Sequence, residues 1–66
     1  MILSEVKENM HRSVIYDDIE YKLMACTMWL DEKNLKFKYS VVLVDEKTNT
    51  VIQAPMEKVE VRKNET

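Results

Sequence analysis

The fold is decided by the stretch from Ile19 to Leu30, which reads IEYKLMACTMWL. It begins with apolar and charged residues in alternation, which is typical of a strand with one face in a core. From Met24 onward both alternating faces are apolar. A half-buried strand needs only one apolar face, so the second face requires a cover. That cover is another part of the chain, a second copy, or a partner protein.

The size of the chain limits what it can hold. With 66 residues it is expected to be one domain with a small core, contributing roughly 3–5 kcal/mol of stability. One Cys and one His exclude an intrachain disulfide and an ordinary tetrahedral zinc site within one chain. The absence of glycine excludes glycine-dependent phosphate loops and dinucleotide fingerprints. We therefore expect no cofactor and no metal, and association as the remaining source of stability.

Charge and hydropathy restrict the partners. Ten basic and twelve acidic residues give a formal charge of −2, which does not favour phosphate binding. The first eight residues contain no continuous apolar run of the signal-peptide kind. No segment approaches the ~18 apolar residues that cross a membrane. We expect a cytoplasmic location and no membrane partner.

The pattern predicts a single domain, residues 1–66, with a lead-in over residues 1–12, a barrel over 13–62 and a frayed tail over 63–66. Apolar residues in the lead-in fit one stripe of a short helix, with an irregular or extended segment as the alternative. These residues are Ile2, Leu3, Val6 and Met10.

Five strands with short polar turns follow the lead-in. They are predicted at residues 13–16, 19–30, 35–45, 50–54 and 59–62. Asp17, Asp18 and Asn49 fall in turns, where they tolerate positive φ in a chain without glycine. Pro55 ends the fourth strand, and residues 56–58 are expected to form one tight helical turn. The fold class is therefore mainly β: a strongly bent antiparallel five-stranded sheet or a small barrel.

Three features carry a resemblance to a known kind of fold. They are the opening VIYDDIEY from Val14 to Tyr21, the two long middle strands, and the ending PMEKVEV from Pro55 to Val61. Over residues 13–62 the chain resembles small barrels of the Src-homology-3, Tudor and KOW kind. That resemblance implies a single helical turn before the last strand, and several barrels of this shape bind nucleic acid. The glycines usual in such barrels are missing here, and the helical lead-in is an addition.

The pairing of the two long strands decides which residues the domain buries. We predict a register in which Leu23 opposes Leu43 and Trp29 opposes Phe37, because it collects the largest aromatics on one face. The odd positions up to Trp29 then form the core. A slip of one residue or a bulge would exchange the faces. The even positions form a second apolar face and the predicted interaction surface: Met24, Cys26, Met28, Val42 and Val44.

This second face leads to the functional prediction. It is covered by the lead-in, by a second copy, or by another protein, to which methionine side chains adapt well. We predict a small non-enzymatic protein-binding module that docks a partner protein or self-associates as a homodimer or higher oligomer. Its size and composition are similar to those of accessory or inhibitor proteins of phages and mobile elements.

Two other functions remain open. Lys33, Lys36 and Lys38, with Trp29 and Tyr39 nearby, are the predicted contacts of a nucleic-acid-binding barrel. Alternating lysines on an exposed strand are also an ordinary protection against aggregation, and a nucleic-acid partner is the less favoured reading. The other alternative is an oligomeric protein that binds a small ligand.

The sequence predicts no catalytic residue. Cys26 lies inside an apolar strand and is expected to be a buried, inert thiol. His11 is expected to be a solvated surface residue. The carboxylates of Asp17, Asp18 and Glu20 are explained by turn chemistry. We therefore expect no enzymatic activity.

Overall fold

The computed structural model describes residues 1–62, which form one short helix and five strands. The elements are α1 (Leu3–Glu8), β1 (Ser13–Tyr16), β2 (Ile19–Asp31), β3 (Lys36–Asp45), β4 (Thr50–Pro55), a 3-10 turn (Met56–Lys58) and β5 (Glu60–Val61). The strands pair antiparallel in one open sheet, in the order β4-β3-β2-β1-β5. The predicted mainly β fold with a short helical lead-in is confirmed. The tail predicted to fray, residues 63–66, lies outside the described residues.

The turns show how a chain without glycine reverses direction. Asp17 and Asp18 adopt φ values of 53° and 61°, as a two-residue hairpin turn with positive φ at both central positions requires. Asn49 has a φ of 59°, as predicted. Leu35, with a φ of 50°, was predicted to begin the third strand. That boundary is wrong, because the turn requires a left-handed residue there and β3 begins at Lys36.

One face of the sheet carries the core. The buried apolar side chains are Val6, Val14, Leu23, Val41, Leu43, Ala54 and Val59. Val6 is the buried residue of α1, whereas Ile2 and Leu3 of the predicted stripe are 63% and 38% exposed. Met10 packs against the core in part. The lead-in therefore covers the part of the sheet around Leu23 with a narrow apolar contact.

The pairing of β2 with β3 changes register at a β-bulge. Leu23 opposes Leu43, as predicted, but Ala25 rather than Met24 opposes Val42. Met24 is therefore the extra residue of the bulge, inserted in β2 between two paired residues. A bulge bends its strand and increases the local twist, so the long strand β2 curves at this point.

Beyond the bulge the predicted pairing is wrong. Leu30 opposes Phe37, and Trp29 opposes Lys38. Because successive side chains point to opposite faces, Leu30 and Phe37 lie on the face that carries the core. Trp29 lies on the other face, where 47% of it is exposed. Of the odd positions of β2, Leu23 is buried and Tyr21 packs in part against the core, whereas Ile19 and Trp29 are each 47% exposed.

Two Leu→Ala substitutions test this core assignment. Leu23→Ala empties a fully buried site and is expected to cost about 2–5 kcal/mol, comparable with the whole stability of a domain of this size. The same change at Leu35, which is 81% exposed, is expected to stay within about 0.5 kcal/mol. Urea unfolding followed by circular dichroism measures both. Equal losses for the two variants would contradict the assignment.

Candidate docking site at the end of the hairpin

The far half of the β2–β3 hairpin has no strand on either side. β4 pairs with β3 only from Ser40 to Asp45, because Pro55 ends it and cannot donate to a ladder. On the other side, β1 pairs with β2 up to Lys22. The last backbone bonds there join Leu23 to the lead-in, at 2.8 and 2.9 Å. At this end of the hairpin, two strand edges are unpaired within residues 1–62. We call them the β2 edge (residues 24–31) and the β3 edge (residues 36–39).

The same half of the hairpin exposes a contiguous apolar patch. Met28, Leu30 and Phe37 are 58%, 47% and 60% exposed, although they lie on the core side of the sheet. Leu30 and Phe37 are direct cross-strand neighbours, and Met28 opposes Tyr39. Contiguous apolar surface of this kind marks interaction sites, whereas scattered apolar residues do not. We call Met28, Leu30, Leu35 and Phe37 the hairpin patch.

Leu35 at the turn contributes little to folding. Its side chain is 81% exposed and its backbone lies in the left-handed region, with a φ of 50°. That conformation costs a non-glycine residue roughly 1–2 kcal/mol. At this position asparagine or glycine would adopt the left-handed conformation at a lower cost than leucine. This local conflict is typical of residues that serve function rather than folding.

A groove runs along the β3 edge. It has a volume of about 740 Å³ and is open to solvent. Trp29 and Lys38 are cross-strand neighbours on one face of the sheet, Phe37 and Tyr39 lie on the other, and the chain from Pro55 to Glu57 lines the rest. The groove therefore offers apolar walls beside unpaired backbone, which suits an extended chain better than a compact ligand.

Hydroxyl and amide groups fix the strands beside the groove. The Oγ atoms of Ser40 and Thr27 lie 2.7 Å apart, and Gln53 Nε2 donates to Ser40 Oγ at 2.7 Å. Ser40 is buried at 4% exposure, and these contacts satisfy its hydroxyl. Neither a hydroxyl nor an amide can act as the general base that a serine nucleophile needs. The network is structural.

Asp31 anchors the turn at the end of the hairpin. Asn34 Nδ2 donates to Asp31 Oδ2 at 3.0 Å, Lys38 Nζ lies 3.2 Å from the same oxygen, and the Lys33 amide donates to Oδ1 at 3.1 Å. The bond from Asn34, followed by the one from Lys38, lowers the pKa of Asp31 below its ordinary value of 3.8. The Lys38 side chain remains 55% exposed, whereas that of Asp31 is 17% exposed. Lys38 can therefore donate to a further group.

The bulge separates the residues of the predicted interaction surface. Cys26 and Met28 lie on the face that carries the core, opposite Val41 and Tyr39. Met24, Val42 and Val44 lie on the other face, with Val42 and Val44 half-buried. The five residues therefore do not form one surface, and only Met28 belongs to the hairpin patch.

Cys26 and the predicted nucleic-acid contacts occupy different environments. Partial burial raises the pKa of the Cys26 thiol, whose Sγ lies 3.9 Å from the Thr27 carbonyl oxygen. Lys33 is in the turn, Lys36 opposes Asp31, and Lys38 pairs with it. The three lysines and Trp29 therefore lie at the hairpin end together with Asp31, whose carboxylate pairs with Lys38.

The sequence did not predict the exposure of three residues of the hairpin patch, which are Leu30, Leu35 and Phe37. The sequence does contain a signal for Leu30 and Phe37. In β2, apolar residues continue on both faces up to Leu30, beyond the reach of the short lead-in. In β3, Phe37 lies between Lys36 and Lys38, which is typical of an exposed strand. Which of these side chains is exposed depends on the strand register. The predicted register placed Phe37 opposite Trp29 in the core.

Comparison with family models, curated proteins and solved structures found no match to this chain. Among residues 1–62, no helix is both long enough and apolar enough to cross a membrane. The same residues contain no cluster of three or more His, Cys, Asp or Glu side chains that could hold a metal ion.

The contacts of Asp31 predict a pH dependence. A carboxyl group whose pKa is lowered by folding stabilises the folded state above its unfolded pKa, and this contribution is lost as the pH falls through the folded pKa. For Asp31 that loss lies below pH 3.8. The stability difference between the native chain and Asp31→Asn should therefore be constant well above pH 3.8 and shrink as the pH falls below it.

Carboxyl titration by NMR measures the pKa directly. The midpoint for Asp31 should lie below 3.8, and both Asn34→Ala and Lys38→Gln should raise it, since each removes one donor. A midpoint at or above the ordinary value in the native chain would show that these contacts are not formed in solution.

Proposed function

We propose that this chain is a small non-enzymatic protein-binding module that takes an extended segment of a partner protein along the β3 edge. The observation that supports it is the hairpin end, where exposed apolar side chains lie beside an unpaired strand edge. Adding a strand to such an edge provides backbone hydrogen bonds, and the flanking side chains provide selectivity.

The side chains of the β3 edge define the chemistry of the partner. Phe37 and Tyr39 point to one face of the sheet, and Lys36 and Lys38 point to the other. Opposed residues of antiparallel strands lie on the same face. The complementary segment therefore alternates apolar residues, which pack on the aromatics, with acidic residues, which face the lysines.

Glu57 restricts where the acidic residues can lie. It lines the groove near Pro55, so a carboxylate beside it would be repelled. Met56 packs in part against the core, which directs the 3-10 turn toward the core side of the sheet. The acidic residues of the partner therefore belong on the opposite face, next to Lys36 and Lys38.

Inhibition of a host protein, as predicted from size and composition, is one form that such docking takes, and it stays a prediction. Nucleic-acid binding is the weaker alternative, because the chain carries a net charge of −2 and Lys33, Lys36 and Lys38 are a small number of phosphate contacts.

Selection from a displayed library of random peptides tests this function. We expect enrichment of peptides that alternate apolar and acidic residues. Phe37→Ser should weaken their binding by at least about tenfold, equivalent to about 1.4 kcal/mol, and Lys38→Glu should also weaken it. The matched control is Val51→Ser, since Val51 is 65% exposed on β4 away from the groove, and it should leave the Kd unchanged.

Three outcomes would contradict the proposal. The first is that no peptide is enriched, and the second is that the enriched peptides bind Phe37→Ser as tightly as the native chain. The third is that a fluorescent single-stranded oligonucleotide binds at low salt, with an affinity that falls steeply as salt is added. The last outcome would favour the nucleic-acid-binding alternative.

Leu35 provides a second test, in which stability and binding change in opposite directions. Leu35→Asn replaces a leucine in the left-handed region with a residue that tolerates it better. The change is expected to stabilise the fold by up to about 1 kcal/mol. The same change removes an apolar contact of the hairpin patch and should weaken binding of the selected peptides. Urea unfolding and peptide titration measure the two effects. A variant that gains stability and keeps full affinity would exclude Leu35 from the docking surface.

A further inference from the structure

The two free edges of the hairpin differ in charge. The β3 edge carries Lys36 and Lys38, and lysines on an exposed edge oppose unwanted strand pairing. The β2 edge from Met24 to Leu30 contains no charged residue and no proline. No backbone group of the lead-in bonds to it beyond Leu23. An edge of this length and composition requires a cover of its own.

We propose that the β2 edge pairs antiparallel with the β2 edge of a second copy of this chain, about a two-fold axis at Thr27. Closed two-fold symmetry is the commonest arrangement of identical chains. For antiparallel edges the axis runs perpendicular to the sheet, so both copies present the same face on the same side. Thr27 is the midpoint of the uncharged edge between Leu23, which is bonded to the lead-in, and the charged Asp31.

This register matches large side chains with small ones. Met28, which is 58% exposed, opposes Cys26 of the second copy on the core side of the sheet. Trp29, which is 47% exposed, opposes Ala25 of the second copy on the other face. Thr27 opposes Thr27, a favourable cross-strand pair. The pairing therefore covers Met28 and Trp29, which the single chain leaves in water, without placing like charges together.

The β3 edge does not allow the equivalent contact. A two-fold axis at Lys38 places that lysine opposite its own copy, and an axis at Phe37 places Lys36 opposite Lys38. Like charges directly opposed across strands are destabilising. Of the two hairpin edges, the β2 edge is therefore the one that can pair with its own copy, whereas the proposed partner segment belongs to the β3 edge. The mass of the chain tests the first proposal, and peptide binding tests the second.

Engineered cysteines test the pairing and its register. In a Cys26→Ala background, Thr27→Cys places two thiols on the axis, where opposed Cα atoms lie about 4.5–5.5 Å apart. This separation is within the range of about 4.4–6.8 Å that a disulfide spans. We expect a covalent dimer on mild oxidation. The matched control, Val51→Cys on β4 in the same background, should form no disulfide-linked dimer, since Val51 is 65% exposed and lies on another strand.

If the cysteine variants do not fold, the mass of the chain in solution, measured by light scattering, tests the same proposal. The native chain should have the mass of a dimer, Met28→Lys should be a folded monomer by circular dichroism, and Val51→Lys on β4 should remain a dimer. A monomeric native chain at high concentration would overturn the proposal. So would a covalent dimer of Val51→Cys in place of Thr27→Cys, or an unchanged dimer in Met28→Lys.

Discussion

The β-bulge at Met24 is the local feature on which the rest of the hairpin depends. It keeps Leu23 opposite Leu43 in the core and shifts every later pair by one residue. Because side chains alternate between faces, this single insertion moves Trp29 out of the core side and Leu30 onto it. The composition of the two surfaces at the hairpin end follows from that shift.

Within the described residues, 1–62, no further strand covers the end of the β2–β3 hairpin. The lead-in supplies one buried helical residue, Val6, and its cover extends as far as Leu23. The molecule measures 41 × 26 × 18 Å, so it is elongated rather than spherical. The apolar side chains of the hairpin patch therefore remain exposed beside unpaired backbone groups.

Much of the fold could be predicted from residue patterns, since strand alternation, the Asp17-Asp18 turn, Asn49 and the turn after Pro55 all depend on local chemistry. The bulge could not, because an alternating apolar pattern reads the same whether or not one residue is inserted. Leu35 was missed for a related reason: leucine is a poor choice for positive φ, so its propensity predicts the wrong conformation. The candidate site was therefore only partly predictable. Met28 was part of the predicted interaction surface, while the positions of Leu30 and Phe37 depend on the register.

The most direct test of this account is the set of cross-strand nuclear Overhauser effects between backbone protons of β2 and β3 in solution. Contacts that place Trp29 opposite Lys38 and Leu30 opposite Phe37, together with Leu23 opposite Leu43, are the predicted result. Contacts that place Trp29 opposite Phe37, with no change of register at Met24, would contradict the account, because the hairpin patch would then be rebuilt from different residues.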